Sequence, residues 1–407
     1  MGCRVTLGNI CSFDRGASIP RTRMLNSGDL LYIHYGDLYK GFDLRIDVEK
    51  PAKPLPFISA DEKIKDSQRL NDQDIVYVLT SETVDDLGHA YLFNNPSGKS
   101  AVSGTETTIV RVERKDVVLP AYLNYLMSSP KFISELRQYT RGMKVFRVHP
   151  SDVARIEVDL PSIDEQRKVV AILDAIYEKQ QTNTKLNGYL ADAVDGLFEK
   201  ALGQSEEKTL TDVVEILSGG TPKTKISEYW EDGEIPFFGP GDANGSTYCL
   251  TTAKHITQLG LENCNSELYP VDTVFLTARG TVGKVAMAGK PMAMNQSCFA
   301  FRGLGVSQPA VYQIIKRAVR SLKVKANGAT FAAINTRDLK IEAILVPSDE
   351  ELTAFEEEAA SLHSMMRVNE EESLKLSSLR DALLSKLIAG EIDVSKVDLT
   401  QINSHLV

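Results

Sequence analysis

The chain of 407 residues has few of the side chains that build metal centres or disulfide frameworks. Its five cysteines (Cys3, Cys11, Cys249, Cys264 and Cys298) are scattered and never spaced as CxxC, which argues against both a disulfide framework and a zinc site. Its six histidines show no metal-ligand spacing. No apolar run approaches the roughly 20 residues that cross a bilayer, and the N-terminus has no signal-peptide pattern. The sequence therefore predicts a globular, cytoplasmic protein without a membrane or metal partner.

Catalytic signatures are absent as well. Adenine methyltransferases carry an Asn/Asp-Pro-Pro-aromatic motif, and the nearest string here, Asn95-Pro96-Ser97, does not match it. Gly98-Lys99-Ser100 resembles the end of a phosphate-binding loop, but Phe93 stands where that loop requires glycine. No serine, cysteine or carboxylate pair is marked as catalytic. We therefore expect a protein that is not an enzyme and binds no cofactor itself.

Acidic residues outnumber basic ones, 55 to 46, and the formal net charge is −9 at pH 7. The excess of acid is local. Residues 161–207 carry nine acidic and five basic side chains, and residues 348–407 carry thirteen and five. Residues 1–160 are balanced, and residues 208–347 carry fifteen basic against twelve acidic side chains. Because counterion release depends on local positive patches, the overall charge does not exclude binding to nucleic acid.

The sequence contains one pattern twice, about 200 residues apart. Leu7 to Ile10 corresponds to Leu210 to Val213, and a glycine turn follows each of them. Short apolar runs that predict buried strands come next in both halves. These runs are Leu30–Ile33 and Ile235–Phe238, then Asp74–Val78 and Asp272–Leu276.

Both halves also end in the same order of signals. A helical stretch begins at Pro120 in the first half and at Pro309 in the second half. A glycine (Gly142, Gly328), a predicted closing strand (Asp152–Ile156, Asp338–Glu342) and a proline (Pro161, Pro347) follow. The conserved order of these signals along the chain predicts an internal duplication.

After each closing proline the apolar spacing changes to threes and fours for about 40 residues, which predicts two helices about 60 Å long. We place them at residues 161–203 and 348–390, each with acid in the first turn and glycine at the end. Residues expected to pair these helices or to dock other subunits are Glu165, Gln166, Ile172, Ile176, Leu186, Leu190, Leu197, Leu352, Phe355, Leu362, Leu376, Leu383 and Leu387.

A long helix with one apolar stripe does not bury that stripe alone, so the two helices are expected to pair as a coiled coil. The first helix leads into a compact domain whose ends lie close together, and the second helix runs back, so the pair is antiparallel. Polar residues on the stripes, Asn183 in one helix and Asn369 and Ser373 in the other, are candidates for setting the register. The alternative is that each helix packs separately on its own domain.

The predicted fold class is α+β, with two β-rich mixed domains separated by two long antiparallel coiled-coil helices and related by a pseudo-twofold internal repeat. The predicted domains occupy residues 1–160 and 204–347, and residues 391–407 form a C-terminal tail.

Three segments of the second domain are suited to nucleic acid. Gly219-Gly220-Thr221-Pro222 predicts a tight turn whose amides and hydroxyl can approach a phosphate. Arg279, Thr281 and Lys284 lie in a glycine-flanked loop after a predicted strand, and Asn295-Gln296-Ser297 can read base edges. The alternative is that the glycines only permit sharp turns and that the polar side chains satisfy buried backbone groups.

Two basic stretches lie at the same place in the repeat, before the closing strand. One holds Lys131, Arg137, Arg141, Lys144 and Arg147, and the other holds Lys316, Arg317, Arg320, Lys323 and Lys325. We expect phosphate contacts from both stretches. The alternative is that these charges serve solubility only.

Together these features resemble the specificity subunits of type I restriction–modification systems. The resemblance is carried by Leu217 to Pro222, Tyr229-Trp230 with Glu234 to Phe237, Thr277 to Lys284, Asn295 to Ser297, and Leu160 to Gln166. It covers nearly the whole chain, and the order of the motifs is specific to the family. The resemblance implies two target-recognition domains, each reading one half of a bipartite target in double-stranded DNA.

The resemblance also implies partners. Two modification subunits, which carry S-adenosylmethionine and methylate adenine, would dock on the helices and domains. A restriction subunit, where one is present, would bring ATP and Mg²⁺. The acidic helices suit protein docking better than contact with DNA.

The chain departs from the family pattern in its first domain. Arg15-Gly16-Ala17-Ser18 is a poor match to the Gly-Gly-Thr-Pro turn, and the loop from Ser81 to His89 is acidic where the second domain has Arg279. The two halves should therefore read different sequences. The acidic loop and helices favour the alternative function, a non-catalytic scaffold or regulator that keeps this fold but no longer reads DNA.

Overall fold

A computed structural model describes residues 2–39, 42–51, 53–84, 86–325 and 333–399. The described residues up to Glu178 and those from Ser377 form one compact unit, called unit 1, and Lys179–Leu376 form unit 2. None of the helices in the described ranges has an apolar stretch that would span a bilayer. The predicted Gly328 and the end of the predicted tail, residues 400–407, lie outside these ranges.

Unit 1 contains the first half of the repeat. Its strands are β1 (Cys3–Thr6), β2 (Cys11–Arg15), β3 (Leu30–Ile33), β4 (Arg45–Asp47), β5 (Phe57–Ile58), β6 (Ile75–Val78), β7 (Thr80–Ser81), β8 (His89–Asn94), β9 (Ala101–Ser103), β10 (Thr107–Val112), β11 (Phe146–Arg147) and β12 (Glu157–Leu160). Its helices are α1 (Tyr35–Leu38), α2 (Pro120–Met127), α3 (Pro130–Arg137) and α4 (Pro150–Val153), and the long helix α5 (Ile163–Ala201) begins here.

The main sheet of unit 1 has the strand order β2-β10-β6-β8-β4, in which only β4 and β8 run parallel. A second sheet has the order β5-β3-β9 and shares an apolar core with the main sheet, including Ile33, Ile46, Val76 and Phe93. Strand β1 pairs antiparallel with β12, which leads directly into α5. Buried residues of α2 and α3 cover the other face of the main sheet together with Val169 and Leu173 of α5.

Unit 2 contains the second half of the repeat. Its strands are β13 (Ser205–Thr209), β14 (Val214–Ser218), β15 (Ile235–Phe238), β16 (Tyr248–Cys249), β17 (His255–Ile256), β18 (Val274–Thr277), β19 (Val285–Ala288), β20 (Ala293–Met294), β21 (Cys298–Gly303) and β22 (Ala343–Pro347). Its helices are α6 (Leu210–Val213), α7 (Gln258–Glu262), α8 (Gln308–Lys325) and α9 (Thr336–Lys340), followed by the long helix α10 (Asp349–Ile388).

The sheets of unit 2 repeat those of unit 1. The main sheet has the order β14-β21-β18-β19-β16, with β16 and β19 parallel, and the second sheet has the order β17-β15-β20. Strand β13 pairs antiparallel with β22, as β1 does with β12. The predicted duplication and the two β-rich mixed domains are therefore confirmed.

The closing strands begin later than predicted. Asp152 and Asp338 lie in the short helices α4 and α9, and the strands β12 and β22 follow them. The reason is local capping: the Asn335 side chain accepts a hydrogen bond from Asp338 N at 3.0 Å, and the Asp338 carboxylate accepts one from Asn335 N at 3.2 Å. Such a reciprocal cap starts a helix and takes these residues out of the strand.

Two polar residues fix the start of α5. The Glu165 carboxylate accepts hydrogen bonds from Ser162 N and Ser162 Oγ, at 2.9 and 2.6 Å, and these bonds lower the pKa of Glu165. Gln166 is fully buried, accepts from Leu119 N and donates to Val117 O, both at 2.9 Å. Of these two residues, predicted from the sequence for pairing or docking, Glu165 caps the first turn of α5 and Gln166 ties α5 to the domain that precedes it.

The two long helices pack together, as predicted, and run antiparallel within each unit. Buried seam residues of α5 recur at intervals of three, four or seven, as in a coiled coil: Val169, Leu173, Ile176, Asn183, Leu190, Val194 and Phe198. On α10 they include Leu352, Phe355, Ala359, Met366, Leu384 and Leu387. In unit 2 the Phe198 and Phe355 rings meet edge to face with centroids 5.0 Å apart.

The seam differs in register from the predicted stripe at the middle of α5. Leu186, which the predicted stripe included, is exposed, whereas Val194, which it did not include, is buried; Asn183, predicted as a polar residue on the stripe, is buried. The Asn183 amide nitrogen donates to Glu372 Oε2 at 2.8 Å, and the Asn369 amide nitrogen donates to Asn187 Oδ1 at 2.8 Å. Polar residues therefore occupy the seam between α5 and α10 at the place where apolar residues are missing from the pattern. The contact of Asn183 with α10 is shown, and its effect on register stays a prediction.

Candidate nucleic-acid interface

The glycine turn after β14 is forced by close packing. A side chain at Gly219 would place its Cβ 2.2 Å from Asn295 O, and one at Gly220 would meet Asn265 N at 2.5 Å. Gly220 N donates to Met294 O at 3.0 Å, and the Thr221 hydroxyl donates to the Gln296 side chain. The turn at 218–222 therefore lies directly against the segment 294–297, and the predicted sites in these two segments come together.

The loop between β18 and β19 is tightly closed and holds the second group of predicted residues. Thr277 N donates to Lys284 O at 2.9 Å, Gly283 N donates to Thr277 O at 2.8 Å, and Gly283 has a φ of 79°. Ala278 N donates to Ser297 O at 2.8 Å, which holds this loop beside the segment 294–297. The three polar segments predicted from separate parts of the sequence thus form one surface in unit 2, which we call the loop surface.

Side chains on the loop surface differ in how free they are. Arg279 and Gln296 are exposed; the Arg279 backbone N donates to Ser297 O at 3.2 Å, and its guanidinium has no hydrogen-bond or ion-pair partner among the described residues. The Thr281 hydroxyl donates to Pro240 O at 2.6 Å, and Lys284 Nζ donates to Ala243 O at 2.9 Å, so both support the loop at 240–243. Exposed donors and acceptors on a loop held by hydrogen bonds are what base reading requires, and the Gln296 side chain keeps its amide nitrogen for this while its oxygen accepts from Thr221.

The basic stretch on α8 is largely occupied by contacts within unit 2. Lys316 Nζ lies 2.6 Å from an Asp195 carboxylate oxygen, and Arg317 lies 2.7 Å from Glu199, both acids being on α5. Their side chains are only 20% and 19% exposed, and Arg317 also stacks over the Phe198 ring at 4.5 Å. These two cations are already neutralised and mostly covered. Their placement therefore favours attachment of α8 to α5.

The other cations of α8 are more exposed. Arg320 lies 3.8 Å from Asp195, a weak contact for a side chain that is 63% exposed. Lys323 donates to Gly283 O at 3.3 Å, beside the loop surface. Lys325 pairs with the buried Glu342 at 2.8 Å. Arg320 and Lys323 therefore remain the α8 residues best placed to meet a phosphate.

In unit 1 the basic stretch forms a hairpin. Arg141 and Arg147 exchange two main-chain hydrogen bonds of 2.9 and 2.8 Å and enclose a five-residue turn, which we call the basic hairpin. Arg141 pairs with Asp152 at 2.8 Å and Arg147 pairs with Glu106 at 3.1 Å, while Lys144 is exposed. Arg137 lies at the end of α3.

Several residues near the basic hairpin were missed by the sequence analysis. Arg15 lies 2.7 Å from His149, and Arg155 lies 3.5 Å from the carboxylate of Asp152 that Arg141 also approaches. A Cβ at Gly16 would lie 2.0 Å from Gly104 O, just as Gly219 lies against Asn295. The turn at Arg15-Gly16 is therefore the counterpart of the glycine turn in unit 2, as the order of the repeat predicts, although its sequence matches that turn poorly.

One main-chain hydrogen bond next to the basic hairpin has an equivalent at the corresponding place in the second half of the repeat. Val148 N donates to Leu79 O at 3.0 Å, and Ile334 N donates to Ala278 O at 3.0 Å. The segment at 326–332, which corresponds to the basic hairpin, lies outside the described residues. The hairpin therefore lies beside the loop that follows β6, as Ile334 lies beside the loop that follows β18 in unit 2.

Comparisons with known proteins agree with this arrangement. A family model described as "Type I restriction modification DNA specificity domain" matches residues 4–189 and again residues 203–372. A crystal structure of the type I restriction–modification S subunit from M. genitalium aligns with a TM-score of 0.52 and 14% identity, covering 95% of this chain and 96% of that one. At this identity the structural likeness shows the fold alone.

Two curated relatives match parts of the chain. The type I restriction enzyme MjaIX specificity subunit of Methanocaldococcus jannaschii is 34% identical over 152 residues, which are 35% of this chain and 34% of that protein. The HindI specificity subunit of Haemophilus influenzae is 26% identical over 198 residues, which are 46% of this chain and 41% of that protein. The chain thus aligns with less than half of the length of either relative.

Proposed function

The chain belongs to the family of type I restriction–modification DNA specificity subunits, whose domain model matches both of its halves, and on that basis we propose that it selects the DNA sequence to be methylated. It is a non-catalytic member of such a system. Each β-rich domain reads one half of a bipartite target in double-stranded DNA. The two halves of the target differ, because the loops of the two domains carry different side chains.

The loop surface of unit 2 is the observation that supports this proposal most directly. It presents Arg279 and Gln296 to solvent on backbone that is held by several hydrogen bonds and by glycines that admit no side chain. Arginine reads guanine edges and glutamine reads adenine edges in the major groove. Thr221 holds the Gln296 side chain, and Thr281 and Lys284 support the loop at 240–243. Phosphate contacts come from Arg320 and Lys323.

In unit 1 the same role falls to the basic hairpin and the turn at Arg15-Gly16. Arg141 and Arg147 have exposed side chains, and a partly exposed ion pair such as Arg147–Glu106 is worth at most about 1 kcal/mol. A phosphate can therefore replace the Glu106 carboxylate at Arg147 at little cost, whereas the buried Asp152 stays paired with Arg155 when Arg141 meets a phosphate. Lys144 is exposed and forms no ion pair within the part of the chain that the structure describes, so its charge is available to a phosphate.

The long helices are proposed to dock two modification subunits. In unit 2 the exposed apolar residues Leu186 and Tyr189 on α5, and Met365 and Val368 on α10, each lie one residue before a seam position. In an antiparallel pair these positions fall on the same flank, so they form one apolar patch. An exposed patch of this kind marks a contact with another protein.

The partners carry the chemistry in this proposal. The modification subunits bind S-adenosylmethionine and methylate adenine, and a restriction subunit, where one is present, adds ATP and Mg²⁺. The assembly works in the cytoplasm, which is consistent with five free cysteines.

The test is to express the chain with its cognate modification subunit in a host without DNA methylation and to map modified adenines across the genome. The proposal predicts one new motif in two parts with a fixed spacer. Absence of methylation, despite a complex that forms and binds S-adenosylmethionine, would contradict it. Salt-insensitive binding to the modification subunit without DNA retention would favour the scaffold function instead.

A further inference from the structure

The tip of the basic hairpin carries an apolar side chain that the fold does not use. Met143 is 95% exposed, more than any other large apolar side chain of the described residues. In contrast, Phe146 on the same hairpin packs against the core of unit 1. The hairpin is thus anchored by Phe146, while Val145 is 43% exposed and Met143 is almost wholly exposed to solvent.

The backbone holds Met143 in this position. The hairpin is closed by the two main-chain bonds between Arg141 and Arg147, and β11 pairs with β7 in the register Phe146 to Ser81. Gly142 has a φ of 114°, and a Cβ there would lie 2.0 Å from Val145 O, so only glycine fits. A five-residue turn restrained in this way presents its tip with little conformational freedom.

The surroundings of Met143 indicate what it meets. Lys144 follows it directly, and Arg141 and Arg147 stand on either side of the turn. Asp152, the acid that pairs with Arg141, is 5% exposed, so the surface of the hairpin is predominantly positive. An apolar side chain between cations matches duplex DNA, in which phosphates lie outside and stacked, largely apolar bases lie inside. The cations would meet the phosphates and Met143 would meet the bases.

We propose that the basic hairpin enters a groove of the target DNA and that Met143 wedges into a base step, while Arg141, Lys144 and Arg147 contact the flanking phosphates. This inference rests on the proposed function, since it assigns a distinct task to one residue of the first domain. Apolar wedges, methionine among them, partly unstack a step and kink the duplex. The energy needed depends on the sequence of that step, so Met143 contributes to selectivity without a hydrogen bond to a base.

The test uses the full chain with its modification subunit and a duplex that carries the methylated motif found by genome mapping. Met143→Ala is expected to weaken binding about tenfold, equivalent to about 1.4 kcal/mol, and to leave the salt dependence unchanged. Met143→Leu keeps an apolar wedge and should stay close to the unaltered protein. Lys144→Ala should instead lower the slope of log K against log salt by about one. Leu304→Ala removes another exposed apolar side chain, away from the hairpin, and should change neither quantity.

A local probe separates a wedge from a simple contact. With 2-aminopurine placed at successive positions, the unaltered protein should raise fluorescence at a base step other than the methylated adenines. That signal should disappear with Met143→Ala and remain with Met143→Leu.

Other outcomes overturn the inference in distinguishable ways. If Lys144→Ala weakens binding while Met143→Ala does not, the hairpin only clamps phosphates and the wedge is wrong. If Met143→Ala prevents assembly with the modification subunit, Met143 belongs to a protein contact. If no methylated motif exists and the unaltered complex does not retain DNA, the proposed function itself fails.

Discussion

His363 makes the stability of unit 2 depend on pH in a way that can be calculated. This α10 residue is 3% exposed, its Nδ1 lies 3.2 Å from the Tyr248 hydroxyl, and its Nε2 is buried without a hydrogen-bond partner among the described residues. The rings of Tyr248 and Tyr312 pack edge to face against it. Burial first, and the charge of Lys316 second, lower the pKa of His363 from 6.5 to about 4. The folded chain therefore holds this imidazole neutral.

The sign follows from proton linkage. Between pH 6.5 and 4 the unfolded chain binds a proton at this position and the folded chain does not, so acid favours unfolding. The contribution of His363 to the free energy of unfolding is fully present near pH 7. Relative to that value, protonation of His363 in the unfolded chain should lower the free energy of unfolding by about 2 kcal/mol at pH 5 and about 3 kcal/mol at pH 4. No part of this loss should return at lower pH, because both states are then protonated.

The assay uses Trp230, the single tryptophan of the chain, which lies in unit 2. Urea unfolding followed by its fluorescence at pH 7, 6 and 5 gives the free energy for the unaltered chain and for His363→Met, which keeps an apolar side chain of similar size. The difference between the two chains should change by about 2 kcal/mol from pH 7 to pH 5, in favour of the variant at the lower pH. Parallel pH profiles for the two chains would refute the reasoning.

Three further variants probe contacts within the units. Asn183→Ala removes the buried amide that bonds α10 and should cost about 1 to 2 kcal/mol in urea unfolding followed by Trp230. Asp174→Ala removes the carboxylate partner of the buried Arg45 guanidinium and should lower the free energy of unfolding of unit 1 by about 3 kcal/mol. Circular dichroism measures this loss, and the unfolding transition reported by Trp230 in unit 2 should stay unchanged. Lys316→Met should leave the salt slope of DNA binding unaltered, because this cation is already paired within unit 2.

Much of the fold was predictable because both halves of the sequence carry the same short motifs in the same order. Glycine turns, apolar strand runs and the two closing prolines needed no knowledge of long-range contacts, and the strand pairings follow the repeat. The register of the seam was not predictable at its centre. Asn187 faces α10 there, so an apolar stripe drawn through this stretch selects its neighbour Leu186, which is exposed.

The candidate site was predictable only in part, since sequence shows charges but not their partners. The run of cations on α8 looked uniform, yet Lys316 and Arg317 meet acids on α5 that lie more than a hundred residues earlier. Likewise Arg15 joins the basic hairpin only through its contact with His149 in the folded domain. The loop surface was easier to predict, because a glycine-flanked loop that follows a strand can be recognised from a short stretch of sequence without knowledge of distant contacts.

The assignment of one half-site to each domain is the central claim, and adenine methylation mapped for paired variants tests it most directly. The full chain carrying Arg279→Ala with Gln296→Ala, both on the loop surface of unit 2, is compared with the unaltered chain in the same host. The account predicts that one part of the two-part motif becomes degenerate while the other part and the spacer stay the same. Relaxation of both parts together, or an unchanged motif at full methylation, would contradict it.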